Sequence, residues 1–338
     1  MIRTTRRAVL AGIAAAPFVP GLAHAETVGG ITKFDDALDA VIDVSSPIEV
    51  LGTGYQWAEG PVWVKQGGYL LFNDPPSNVC YKWKPGKPVT KFMRPSGLAG
   101  TIPEGVREAG ANGMAIDAQG HLVIADSGTR AVARIDLKTM KKTIIADRYF
   151  GKRFSSVNDL TISRGGKIYF SDPPYGFSKG DDSPLKEIDF NGLYHVDVAG
   201  GEVGLVDKTL KRPNGVALSP NQSLLYVALS DPDRPEIRVY ELAADGTAMD
   251  EGRLFHDFRP EVAAKLRGLP DGLKVDAAGR IFAAGPGGVY ILSPEGKRLG
   301  LIATGKAVAN CCFGEDGKTL FLTSHTMVAK VRLKTKGW

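Results

Sequence analysis

The sequence predicts an all-β protein, a six-bladed β-propeller with four-stranded blades in which an N-terminal strand completes the last blade. One polar-then-apolar pattern occurs six times along the 338 residues. Each copy predicts two strands joined by a short turn, and further strand signal follows most copies. No long stretch carries the 3.6-residue apolar period of an amphipathic helix, so helices are expected to be minor.

Each of the six copies begins with a polar residue, runs through a short apolar strand, turns on polar or glycine residues and returns through a second apolar strand. The polar residues are separated by 53, 46, 56, 57 and 39 residues, close to the roughly 40 to 50 residues of a four-stranded blade. Radial repetition of such units removes long exposed sheet edges, and a β-sandwich would not explain six phased copies. The aligned polar residues are Glu59, Asn112, Asn158, Asn214, Asp271 and Asn310.

The remaining strands of the blades are predicted from the segments that follow the copies, such as "AVARIDL" from Ala131 and "GLYHVDV" from Gly192. The last copy ends after "MVAKVRLK", which provides only three strands. We expect "SPIEVLGTG", from Ser46, to supply the missing outer strand and close the ring. The stretch "RPEVAAKLRG" around Pro260 is expected to hold one short helical turn.

Residues 1–25 have the features of a cleaved export signal: a basic start, a short apolar run and the small-residue pattern Ala23-His24-Ala25. The pair Arg6-Arg7 resembles a twin-arginine signal, which predicts a periplasmic or secreted protein with one propeller domain over residues 26–338. Two prolines interrupt the apolar run, so a membrane anchor is not expected.

Charge argues against a nucleic-acid partner. The whole chain carries a net charge of +5, and removal of residues 1–25, which hold three arginines and no acid, leaves +2. Only three cysteines are present, Cys80, Cys311 and Cys312, and two of them are adjacent. We therefore expect buried thiols rather than a disulfide or a zinc site.

The first strand of each propeller blade lines the central channel, so the six polar side chains should converge on the axis at one face. Oxygens of Asn, Asp and Glu form the kind of site that suits Ca²⁺. Glu59 and Asp271 together carry enough negative charge to neutralise one divalent ion. Each residue alone also fits a simpler role, in which its side chain satisfies backbone donors in a turn.

The ordered motifs "EGPVW", "GKRFSSVNDL", "DPPYG", "NGLYHVD", "PNGVALSP" and "PDGLKVD" resemble the gluconolactonase, regucalcin and luciferin-regenerating enzyme family over about Tyr55 to Leu333. Diisopropylfluorophosphatase is a more distant relative. The resemblance implies one axial divalent metal, often Ca²⁺ but exchangeable with Zn²⁺, Mn²⁺ or Mg²⁺. Its implied ligands are Glu59, Asn158, Asn214 and Asp271, and in some members the residue matching Asn158 contacts substrate or metal-bound water.

The implied activity is hydrolysis of a sugar lactone, in which the metal polarises the carbonyl for attack by water. Asp271 is the candidate catalytic base, with simple metal ligation as the alternative. By resemblance, Asn112 of "ANG" and Arg153 of "GKR" contact substrate, while a surface ion pair is the alternative for Arg153. Antiparallel topology places Tyr175 and His325 at the same mouth, where Tyr175 would line the sugar pocket and His325 would assist proton transfer. Loop packing and loop hydrogen bonding are their alternatives.

Regucalcin-like members have an arginine two residues before the aligned asparagine of the third copy, where this chain has Ser156. This difference favours the bacterial gluconolactonase branch. Two other functions remain open at this stage: a phosphotriesterase or fluorophosphatase, and a non-catalytic propeller that binds a ligand. The expected assembly is a monomer or a weak oligomer.

Overall fold

Six antiparallel sheets surround a central channel in the computed structural model, which describes residues 26–338. The predicted export signal, residues 1–25, lies outside the described residues. Two strands, β1 (Gly30–Lys33) and β2 (Ile48–Thr53), precede the first blade. The blades then follow in chain order, and the prediction of a six-bladed propeller is confirmed.

Each blade begins at the channel and ends at the outer surface. Blade 1 contains β3 (Glu59–Val64), β4 (Tyr69–Asp74), β5 (Val79–Trp83) and β6 (Thr90–Met93). Blade 2 contains β7 (Met114–Ile116), β8 (Leu122–Asp126), β9 (Ala131–Ile135) and β10 (Lys142–Ala146), and a hairpin of β11 (Arg148–Tyr149) and β12 (Lys152–Arg153) follows it. Blade 3 contains β13 (Leu160–Ile162), β14 (Lys167–Asp172), β15 (Gly192–Asp197) and β16 (Gly204–Asp207).

The second half of the chain repeats this order. Blade 4 contains β17 (Pro213–Leu218), β18 (Leu224–Leu229), β19 (Glu236–Glu241) and β20 (Arg253–Asp257). Blade 5 contains β21 (Leu273–Val275), β22 (Ile281–Gly285), β23 (Gly288–Leu292) and β24 (Arg298–Ala303). Blade 6 contains β25 (Asn310–Gly314), β26 (Thr319–Ser324) and β27 (Met327–Arg332). The short helix α1 (Arg259–Ala263) lies where a helical turn was predicted, and 3-10 turns cover Asp36–Ala40, Pro75–Ser77 and Gly180–Asp182.

The ring is closed by the N-terminal strand, as predicted. β2 pairs antiparallel with β27, in a register that runs from Ile48 opposite Val331 to Thr53 opposite Met327. The first strands of neighbouring blades contact one another in order, and β25 contacts β3. Strand pairing between the two ends of the domain therefore completes blade 6 and closes the ring.

A feature that the sequence did not predict is the fifth strand of blade 5. β1 pairs with β24, with Gly30 opposite Ala303 and Lys33 opposite Gly300. Its four residues are mostly exposed and show no apolar alternation, so the strand signal is weak. Leu38, in the turn after β1, is fully buried and anchors this segment against blades 5 and 6.

Most of the core lies between adjacent sheets. The second strands β8, β22 and β26 are buried along their whole length, which explains their continuous apolar sequences. All three cysteines are free and buried, as predicted. Among residues 26–338, no helix has the length and apolarity to cross a membrane.

Candidate active site

A cavity of about 670 Å³ opens at one end of the channel. Six of the residues singled out from the sequence line it together, although they come from five different blades or the loops that precede them. The predicted residues in the lining are Glu59, Asn112, Asn158, Tyr175, Asn214 and Asp271.

Backbone hydrogen bonds at the start of the first strands hold several of these side chains at the same level of the channel. The main-chain N–H of Asn112 donates to Ala125 O at 2.8 Å, and that of Asn158 donates to Ser171 O at 3.0 Å. Asp271 makes the equivalent bond in blade 5. In blades 1 and 4, on opposite sides of the ring, β3 and β17 carry β-bulges directly after Glu59 and around Asn214. Bulges re-aim side chains, and here they occur where two predicted ligands enter the channel.

The structure corrects the alignment of the sixth copy by one residue. In blade 6 the residue that makes the equivalent backbone bond is Ala309, which donates to Thr323 O at 2.9 Å. Gly272 N donates to Ala309 O just as Gly113 N donates to Asn158 O, each at 2.8 Å. Asn310 therefore corresponds to Asp159 and lies one residue deeper in the channel. The sequence pattern matched Asn310 with Asn158 because each of the pairs Ala309-Asn310 and Asn158-Asp159 contains one asparagine. The true equivalent of Asn158 is Ala309.

Four buried side-chain oxygens in this layer have no hydrogen-bond partner among residues 26–338. All are acceptors and all belong to residues that line the cavity: Asn112 Oδ1, Asn158 Oδ1, Asn214 Oδ1 and Asp271 Oδ1. A buried acceptor without a donor costs free energy, and such groups are rare in folded proteins. The four oxygens therefore indicate a ligand that supplies positive charge or donors, and they fit a divalent cation.

Among residues 26–338, no group of three or more His, Cys, Asp and Glu side chains is arranged to hold a metal ion. An ion in this cavity would therefore rely on asparagine amide oxygens together with Glu59 and Asp271. A donor set made only of oxygens suits a hard cation and argues against a thiolate or imidazole site.

The carboxylates around the channel outnumber the cations. Glu59 is 2% exposed, and burial together with the nearby Asp159 raises its pKa to about 8. Burial also raises the pKa of Asp159, and burial and then the charges of Glu59 and Asp159 raise the pKa of Asp271, which opens onto the cavity. The cation among these groups is Lys274, whose Nζ lies 3.9 Å from Asp159 Oδ2. In their ionised forms these three carboxylates repel one another, and a bound cation would relieve that repulsion.

Asp159 and Lys274 were missed by sequence reasoning, but both have a recognisable signal. Asp159 occupies the position that glycine holds in four of the six copies, and Lys274 is the charged residue in the apolar strand "LKV". Asn310 Nδ2 lies 3.3 Å from Asp159 Oδ2, and Lys274 Nζ lies 3.4 Å from Asn310 Oδ1. These three side chains form a polar layer directly below the cavity.

Tyr175 lies in the cavity wall, and its hydroxyl is buried in the neighbourhood of Ser230. Burial, followed by the charge of Asp271, raises the pKa of this hydroxyl, so it remains a donor. His325 does not line the cavity. Its ring packs edge-on against Trp57, which does, with ring centroids 5.4 Å apart. Both residues are therefore near the predicted mouth, Tyr175 in the cavity itself and His325 one side chain away.

Arg153 is not among the cavity-lining residues. Its Nη2 donates to Thr129 O at 2.6 Å, and its main-chain N–H donates to Glu187 Oε2 at 2.8 Å. Two other arginines line the cavity: Arg107, which is paired with Glu108, and Arg212, which is exposed at its rim. The φ of 50° at Arg212 is unusual for a non-glycine residue, and such strain concentrates at functional sites.

Comparison with known proteins shows which family the chain is similar to. The family profile described as "SMP-30/Gluconolactonase/LRE-like region" matches residues 57–326. A gluconolactonase of Zymomonas mobilis is 47% identical over 318 residues, which cover 93% of this chain and 89% of that protein. A gluconolactonase structure from Xanthomonas campestris has a TM-score of 0.78 at 28% identity and covers 91% of this chain and 97% of its own. Regucalcin of Agrobacterium tumefaciens, described as a calcium-binding protein, shares the fold with a TM-score of 0.66 at 19% identity, covering 86% of this chain and 94% of its own.

Proposed function

Because the chain belongs to the SMP-30/gluconolactonase/LRE-like family, we propose that it is a lactonase that hydrolyses a sugar lactone to the corresponding aldonic acid. The observation that carries the proposal is the set of four buried oxygens, without partners among residues 26–338, on residues that line the cavity. The cavity volume suits a small polar molecule, and the 47% identical relative is a gluconolactonase.

We further propose that one divalent cation, Ca²⁺ first and Zn²⁺, Mn²⁺ or Mg²⁺ as substitutes, is held by Glu59, Asn158, Asn214 and Asp271. The close approach of Glu59, Asp159 and Asp271, whose mutual repulsion raises the pKa values of Glu59 and Asp271, supports a bound cation that would stabilise the ionised carboxylates. When bound, such an ion supplies a Lewis acid that polarises the lactone carbonyl.

The chain's own residues would then bind and orient the lactone. Asn112 Oδ1 would accept a hydrogen bond from a sugar hydroxyl, while the Tyr175 hydroxyl and the Arg212 guanidinium, which line the same cavity, would donate. Water adds to the carbonyl carbon, the ring C–O bond breaks, and the ring oxygen takes up the proton that the water loses. In this scheme Asp271 carries that proton from the water to the ring oxygen, and simple metal ligation is its alternative role.

Export to the periplasm or medium remains part of the proposal. Amino-terminal sequencing of the protein from the periplasmic fraction tests it, and a mature chain that begins at Glu26 is the expected result. A chain that retains Met1 in the cytoplasm would contradict it. Size-exclusion chromatography with light scattering tests the expected monomer or weak oligomer.

The activity itself is tested with chelator-treated protein and a panel of δ- and γ-aldonolactones, with acid release as the readout. We expect hydrolysis to be lost after chelation and restored by Ca²⁺. Turnover of organophosphate triesters without lactone turnover would favour the phosphotriesterase alternative. No turnover of any substrate with any divalent metal would contradict the proposal and favour a ligand-binding propeller.

A further inference from the structure

Ser230, directly after β18, lies between two of the proposed metal ligands without being one. Its hydroxyl lies 2.9 Å from Asn214 Nδ2 and 2.6 Å from Pro270 O, the carbonyl that precedes Asp271. We propose that Ser230 is a positioning residue that fixes which atom of the Asn214 amide faces the cavity. This inference rests on the proposed function, because it assumes a cation at this site.

The donor and acceptor chemistry of these groups allows one arrangement. A main-chain carbonyl only accepts, so the single proton of the Ser230 hydroxyl is committed to Pro270 O. The Ser230 oxygen can therefore only accept from Asn214. The Asn214 atom beside it must be the nitrogen, which places Oδ1 on the opposite side of the amide.

That orientation matters because the two atoms of an amide act oppositely on a cation. Asn214 Oδ1 is buried and has no hydrogen-bond partner, and Asn214 lines the cavity. If the amide turned over, its NH₂ group would replace the oxygen and repel the ion. The same hydroxyl also ties Asn214 of blade 4 to the residue before Asp271 of blade 5, so one side chain couples two ligands.

Blade 2 offers an internal control. Ser127 stands at the position of Ser230, one residue after the second strand, and its hydroxyl donates to Val157 O at 2.8 Å, directly before Asn158. Its hydroxyl makes no bond to an asparagine amide within the described part of the chain. The two serines thus share the link to the next blade, and only Ser230 also orients an amide.

The test compares Ca²⁺ affinity by isothermal titration calorimetry for the full chain, after chelator treatment, in Ser230→Ala, Ser230→Thr and Ser127→Ala. Loss of a residue that orients a ligand typically costs about 10- to 100-fold in metal affinity, and we expect a loss of this size for Ser230→Ala. Ser230→Thr keeps the hydroxyl and should bind within a few-fold of the wild type. Ser127→Ala should lose much less than Ser230→Ala.

Circular dichroism and thermal unfolding of the Ca²⁺-free proteins verify that each variant is folded. If Ser230→Ala does not fold, Ser230→Cys, of similar size but a weak donor, is expected to show the same loss. Wild-type affinity in Ser230→Ala would overturn the inference, and so would equal losses in Ser230→Ala and Ser127→Ala, which would assign the effect to the inter-blade bond. A wild-type protein that binds no divalent ion would instead contradict the proposed function.

Discussion

Lys274 Nζ lies 3.9 Å from Asp159 Oδ2 and provides the positive charge that faces the carboxylates of the channel. Lys274 is partly exposed, whereas Asp159 is buried, so removing the ammonium group leaves a buried carboxylate without its nearest positive charge, at a cost of about 1 to 3 kcal/mol. We therefore expect Lys274→Met to lower the free energy of unfolding of the Ca²⁺-free protein by about this amount. Urea unfolding with and without Ca²⁺ measures it, and added Ca²⁺ should recover part of the loss. Lys274→Arg, which keeps the charge, should lose less; an equal loss would point to packing instead.

Glu59→Gln should abolish tight cation binding. The substitution removes one negative charge from a side chain that is 2% exposed, while it keeps the shape of the residue. We expect the Ca²⁺ dissociation constant to rise by more than the roughly 10- to 100-fold that loss of a supporting residue costs. Calorimetry measures it, and Glu49→Gln, at a surface pair 3.5 Å from Lys330, is the control. Unchanged affinity in Glu59→Gln would remove this residue from the ligand set.

The two candidate arginines make different predictions for substrate binding. Arg212 lines the cavity, whereas Arg153 does not and its Nη2 donates to Thr129 O at 2.6 Å. We expect Arg212→Met to raise KM for the lactone by about 10-fold or more, because the substrate would lose one hydrogen bond to a charged group. The change in kcat should be smaller. Arg153→Met should leave KM nearly unchanged. The reverse result in steady-state kinetics would restore Arg153 as the substrate-contacting arginine.

Gly113 is required by the close approach of blade 3. A Cβ at this position would lie 2.7 Å from Asp159 Cα and 2.9 Å from Asn158 O. Gly113→Ala should therefore destabilise the protein by about 1 to 3 kcal/mol, as overpacking does, and weaken Ca²⁺ binding by displacing Asn158. Gly30→Ala is a matched control, because a Cβ there meets no heavy atom within 4 Å. Equal denaturation midpoints for the two variants would contradict the steric argument.

His256, in β20, should make the protein less stable in acid. Its Nδ1 lies 3.0 Å from Gly296 O, its Nε2 is buried without a partner, and burial lowers its pKa despite the charges of Glu261 and Asp257 nearby. The unfolded chain, with a histidine pKa of about 6.5, takes up a proton that the folded chain resists. The free energy of unfolding should therefore fall as pH drops below about 6.5.

Urea unfolding at about pH 7.5 and about pH 5.5 measures this loss. His256→Gln keeps a donor for Gly296 O but does not titrate, so its loss over the same interval should be smaller. An identical loss in the variant and the wild type would assign the acid sensitivity to other groups.

Much of the candidate site could be read from the repeats. Strand starts that repeat in phase must lie at one face of a propeller, so Glu59, Asn158, Asn214 and Asp271 could be grouped before any coordinates were known. Arg153 was predicted to contact substrate only because its motif resembles that of relatives. A resemblance does not determine which way a hairpin side chain points.

The sequence by itself determined the number of blades, the strand that closes the ring and the layer in which the polar residues lie, because these depend on short-range periodicity. Tertiary structure alone decided the one-residue offset at Ala309 and the orientation of the Asn214 amide by Ser230. Pairing of Asp159 with Lys274 across the channel likewise joins residues 115 positions apart. Such contacts depend on how the blades pack around the axis. No local pattern along the chain specifies which distant side chains this packing brings together.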